Sequence, residues 1–72
     1  MQTQTEGPQP RAIRINETLR IFGGSKSQLY ALVKAGKFPA PIKISARSSA
    51  WIEHEVLAWL SERIAASRKA VP

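Results

Sequence analysis

This chain has no cysteine and no aspartate, and only one histidine and one tyrosine. Without cysteine there is neither a disulfide framework nor a thiolate metal site. One histidine and no aspartate cannot build a Ser-His-Asp triad, so no catalytic role and no metal is expected. No apolar run approaches the ~18 residues of a membrane span. The opening "MQTQTEGPQP" lacks the apolar core of a signal peptide. "GGSKS" lacks the spacing of a phosphate-binding Walker loop. These absences lead to the expectation of a soluble, cytoplasmic protein with no cofactor and no membrane partner. Seventy-two residues allow one domain with a small core.

What is present is positive charge. Eleven Lys and Arg face five acids, all of them Glu, for a net charge of +6. A small basic domain suits a polyanion, most often nucleic acid, although basicity can also serve solubility alone. The positions of the charges must decide.

Residues 1–11 are rich in Gln, Thr, Pro and Gly and too polar to offset their ordering entropy, so they read as a flexible arm. Ile13 and Ile15 flank Arg14 in a short extended entry. Asn16 is expected to cap a first helix, with Glu17 in its first turn and Leu19 and Phe22 on its inner face. Gly23 and Gly24 end that helix. Ser25 caps a second helix over residues 26–35, whose apolar stripe is Leu29, Leu32 and Val33. Gly36 stops it and Pro39 prevents its renewal.

Beyond Pro39 the period changes to two. Ile42 and Ile44 alternate with Lys43 as in a half-buried strand. "SARSS", residues 45–49, reads as a polar loop and Ala50 to Ile52 as a return strand. Residues 53–67 form a last helix with Val56, Leu57, Trp59, Leu60 and Ile64 at helical spacing. Residues 68–72 read as a frayed tail. Trp51 and Trp59 are expected to lock the hairpin against the last helix. The fold class is mainly α with a small β-hairpin: a winged helix-turn-helix of three short helices plus a wing, occupying residues 12–67.

The outward face of the second helix carries the functional expectation. With Leu29, Leu32 and Val33 inward, Lys26, Ser27, Gln28, Tyr30, Ala31 and Lys34 face outward or flank the helix, with no acid among them. A helix packed only for structure usually shows Glu and i,i+4 charge pairs there. Lys can neutralise phosphate or donate to guanine, Gln can pair with adenine, and Ser and Ala permit close approach. Ser25 and Ser27 can offer hydroxyls and N–H groups to a phosphate at the helix N-terminus. Lys37, and Lys43 and Arg47 near the hairpin tip, add backbone contacts. Singly, each lysine is as consistent with a solvated surface as with DNA. Together they point to double-stranded DNA, with the helix in the major groove and the wing on backbone or minor groove.

The run "RINETLRIFGGSKSQLYALVKAGKFPAPIKIS", followed by "AWIEHEVLAWL", resembles the AlpA family of phage and prophage regulators, which sits beside the small excisionases in a MerR-like winged-helix group. The resemblance spans about residues 13–65. It implies a DNA-binding protein of a mobile genetic element. Such a protein acts as a transcriptional regulator, as an excisionase (recombination directionality factor) promoting integrase-mediated excision, or as both. The DNA would be a promoter or attachment-site region, with integrase and further copies on adjacent sites as possible partners. It places recognition at Lys26, Ser27, Gln28 and Tyr30. The family commonly has Arg at the place of Lys26 and Thr at that of Gln28, usually an apolar residue at that of Gly24, and a small helix cap where His54 stands. The competing expectation is a small protein-interaction module that presents Leu57 or Trp59 to an integrase and binds DNA without sequence preference. An RNA-binding role is weaker, because no stacking aromatics alternate along a strand.

Overall fold

A computed structural model describes residues 10–70. Those residues form three helices and one small antiparallel sheet in the order β1 (Ala12–Ile13), α1 (Ile15–Phe22), α2 (Lys26–Lys34), β2 (Ile42–Ser45), β3 (Ser48–Ile52) and α3 (Glu53–Ala70). The expected winged helix-turn-helix architecture is present, with a third strand added. β1 pairs with β3 and β3 with β2, so β3 is central.

The start of α1 is set by Thr18, not by Asn16. The Arg14 carbonyl accepts both the Thr18 N–H and the Thr18 hydroxyl, each at 2.9 Å. Thr18 is fully buried, and this bond satisfies its hydroxyl. Arg14 is therefore the residue before the helix, and Asn16 lies exposed within the first turn. The other end follows expectation: Gly23 is left-handed at φ 81° and its N–H bonds the Leu19 carbonyl at 2.8 Å. A second left-handed glycine, Gly36 at φ 76°, closes the end of α2.

The core is Ile13, Leu29, Phe38, Trp51 and Val56, ringed by Ile15, Leu19, Ile21, Phe22, Leu32, Val33 and Trp59. Trp51 is buried on β3 and donates its indole N–H to the Pro39 carbonyl at 2.9 Å. Trp59 has a different task from the one expected. It donates to the Lys37 carbonyl at 2.8 Å and packs against Phe22 and Phe38, with ring centroids at 5.6 and 4.8 Å. It thus joins α3 to α1 and to the segment after α2.

The hairpin also differs. The expected five-residue loop contracts to a two-residue turn at Ala46–Arg47, so Ser48 and Ser49 belong to β3. Neither turn residue has positive φ, so the turn is not of the mirror-image kind that suits a tight hairpin. An extra residue at Ile44, between the Lys43–Ser49 and Ser45–Ser48 pairs, takes up the mismatch as a bulge. β2 is exposed throughout, with Ile42 42% and Ile44 49% accessible. The strand read from their spacing is therefore formed but not half-buried, because β2 lies at the sheet edge and the bulge breaks its alternation.

Nor is α3 short. Eighteen residues rise about 27 Å at 1.5 Å each. "SERIAASRKA" contains no breaker, is rich in good helix formers, and ends in Arg68 and Lys69, which suit a helix C-terminus. The helix thus includes three of the residues read as tail. Residues 1–9 of the arm and 71–72 of the tail lie outside the described residues. Arg11, assigned to the arm, is part of the fold: its carbonyl accepts the Glu53 N–H at 2.7 Å, and its guanidinium bonds the Glu53 and Glu17 carboxylates.

Candidate nucleic-acid interface

α2 is held by its inner apolar stripe and by a closed loop of hydrogen bonds at its start. Leu29 is fully buried; Leu32 and Val33 are half-buried. Ser25 accepts the Gln28 N–H on its hydroxyl at 3.1 Å, while the Gln28 side-chain oxygen accepts the Ser25 N–H at 2.9 Å. This reciprocal capping box satisfies two otherwise orphan donors. Every other residue from Ser25 to Ala31 is exposed.

The capping box gives Gln28 a structural role beside the one expected of it. A backbone N–H can be met only by the amide oxygen, so the orientation of the side chain is fixed by chemistry. Its oxygen accepts the Ser25 N–H and keeps a second lone pair, while its Nε2 carries two donors. Bidentate pairing with adenine needs the oxygen as an acceptor.

Gly24 gains a reason. A Cβ there would stand 2.7 Å from the Gln28 amide oxygen and 2.7 Å from Cε2 of Phe22. The turn has room for the Gln28 cap over the Phe22 ring because residue 24 has no side chain. A side chain at position 24 would press on the Gln28 cap, so two of the positions at which the chain departs from the pattern it resembles constrain each other.

Between Glu17 and Glu53 the chain has six Lys and Arg and no acid. That stretch holds α2 and the hairpin. Lys26, Ser27 and Gln28 occupy the exposed first turn of α2, and Lys34 its exposed last turn. Lys37 lies beyond the C-terminal end, its carbonyl fixed by Trp59. Lys43 is exposed on β2 and reaches the Ala46 carbonyl at 3.3 Å. Tyr30 and Arg47 come together: both line a groove of about 330 Å³ between α2 and the hairpin. The Tyr30 ring rests against Trp51 with centroids 6.0 Å apart and is 44% exposed, so it is a boundary residue with an outward edge. Lys26, Lys34, Lys37 and Lys43 do not line this groove.

Sequence reasoning missed Arg14, Ser48 and Ser49, which line the same groove. The signal was present in the alternation of Ile13 and Ile15 around Arg14, which turns Arg14 away from the core. Glu17, and then Glu53, hold the Arg11 guanidinium above its already high ordinary value. His54 is exposed in the first turn of α3. Among the described residues no group of acids and histidine could hold a metal, and no helix is long and apolar enough to cross a membrane.

This helix, turn, helix and basic hairpin coincide with a match to the sequence model described as prophage CP4-57 regulatory protein (AlpA), over residues 11–64. The chain belongs to the AlpA family. The matched span starts at Arg11, the residue that closes the fold onto Glu17 and Glu53. A curated relative, the uncharacterized protein ORF88 of Enterobacteria phage P4, is 34% identical over 61 residues, covering 85% of this chain and 69% of that protein. No solved structure matches significantly. As an AlpA-family member the chain is a regulatory protein of the phage and prophage type, and the sequence resemblance is upheld.

Proposed function

We propose that this AlpA-family protein reads double-stranded DNA with the exposed face of α2 in the major groove and the β2–β3 hairpin on the adjoining backbone. It thereby acts on a promoter or an attachment-site region of a mobile element. The carrying observation is the acid-free stretch between Glu17 and Glu53, whose helix exposes Lys26, Ser27 and Gln28 at its N-terminus. N-terminal residues of a recognition helix are those that reach base edges. Ser25, Lys26, Ser27, Gln28, Tyr30 and Lys34 form the helix contribution; Lys37, Lys43 and Arg47 act on phosphate. Gln28 donates to guanine O6 or N7, or to thymine O4.

Two roles fit this geometry: transcriptional regulation and promotion of integrase-mediated excision. The second needs a protein contact, and Leu57 and Ile64, exposed seven residues apart on α3, offer an apolar strip for integrase or a neighbouring copy. An excision assay and a promoter-reporter assay on the same element separate the two. Loss of excision in a Leu57→Ser, Ile64→Ser variant with intact DNA binding supports the directionality role. Unchanged excision removes that contact.

A further inference from the structure

The groove between α1, α2 and the hairpin is lined by Arg14, Ile15, Tyr30, Arg47, Ser48, Ser49 and Trp51. Two arginines from segments far apart in the chain meet there, with two serine hydroxyls and the edge of Tyr30, and no carboxylate lines it. Among the described residues neither Arg14 nor Arg47 has an ion-pair partner, whereas Arg11 has two. The site is built on fixed backbone. Arg14 is pinned through its carbonyl by buried Thr18, Ile13 pairs in register with Trp51, and Tyr30 rests on Trp51. A volume of about 330 Å³ is many times the ~10–15 Å³ that one water needs on the same measure, so the groove has room for a phosphate group.

We propose that this groove is a seat for a single DNA phosphate, clamped by Arg14 from the entry to α1 and by Arg47 from the hairpin turn, with Ser48 and Ser49 as hydroxyl donors. The proposal rests on the DNA-binding reading and adds a residue, Arg14, that lies outside both the helix and the wing. Its consequence is register. One phosphate held where three elements meet fixes how far the N-terminus of α2 enters the neighbouring groove, which is how backbone contacts position a reader without carrying sequence information themselves. Two guanidiniums converging on one phosphate form charge-assisted hydrogen bonds in a fixed geometry.

The test uses a short duplex recovered by the full chain from a random-sequence pool, with neutral methylphosphonate placed at each backbone position in turn. For the wild-type protein, neutralising one particular phosphate is expected to weaken binding about tenfold, the scale of a lost hydrogen bond to a charged group. For Arg14→Ala, Arg47→Ala the same position should cost nothing, while other sensitive positions keep their effect. Arg14→Lys should retain part of the sensitivity. Because the fold uses the Arg14 carbonyl and not its side chain, circular dichroism should show these variants folded. Intact, salt-sensitive binding with the same phosphate profile in wild type and double variant would overturn the groove proposal and leave the DNA reading standing. Failure of the wild type to recover or bind any duplex would overturn both.

Discussion

The two ends of β3 hold arginine in opposite circumstances. At its C-terminal end Arg11 meets Glu17 and Glu53 and closes the fold. Before its N-terminal end Arg47 shares a groove with Arg14 and no acid. The same residue type serves inside the molecule's own charge balance at one end and is left unneutralised at the other. Arranging cations around a groove without local partners costs self-repulsion that a purely structural design would avoid. The difference separates an arginine that holds the fold together from one that faces a groove without a local acid.

That separation can be broken most severely through what both ends share. Trp51→Ala removes the buried centre of β3 and should cost ~3–5 kcal/mol, comparable with the whole stability of a domain this small. Both DNA binding and the thermal transition should disappear. Trp59→Ala should cost about 3 kcal/mol, because its ring is only half-buried although it joins Phe22 and Phe38. A melting curve hardly changed would remove Trp59 from the core. Gly24→Ala should cost about 1–2 kcal/mol by forcing the Phe22 ring and the Gln28 cap apart. Repeated with Gln28→Thr, the same substitution should cost less, and equal costs would contradict the contact between the two positions.

Gln28→Glu sharpens the comparison, since glutamate also completes a capping box with Ser25. Stability should hold while affinity for the selected duplex falls at least about tenfold, because donors are replaced by a negative charge beside phosphate. Unaltered affinity would exclude Gln28 from the interface. Smallest of all is Arg11→Ala, which should slightly lower the melting temperature and leave DNA affinity unchanged. A loss of affinity equal to that of Arg47→Ala would erase the distinction between the two ends.

Much of the architecture was legible because it is punctuated by residues with one physical meaning. Gly23, Ser25 and Gly36 mark the ends of α1 and α2, and Leu29 faces the core where its spacing put it. Burial of Thr18 and Phe38 was not legible, since neither belongs to a periodic stripe and each is placed by tertiary contacts. The exposure of Ile42 and Ile44 was hidden for a related reason: alternation says that a strand has two faces, not that anything covers one of them. In the candidate interface, the cations of α2 could be read from a helical wheel. The groove could not, because Arg14 and Arg47 are 33 positions apart and are joined only by the pairing of β1 with β3.

The most direct test of the central assignment is a charge reversal at the first residue of α2. A glutamate at that position is favoured by the helix dipole, so Lys26→Glu should keep or slightly raise the melting temperature. Affinity should be measured across a salt series for the selected duplex and for a scrambled one. The wild type should prefer the selected duplex and lose affinity steeply with salt, and Lys26→Glu should bind at least about tenfold more weakly with a shallower slope. Equal affinity and slope in the two proteins, or no preference between duplexes in the wild type, would contradict the assignment of α2 as the helix that reads DNA.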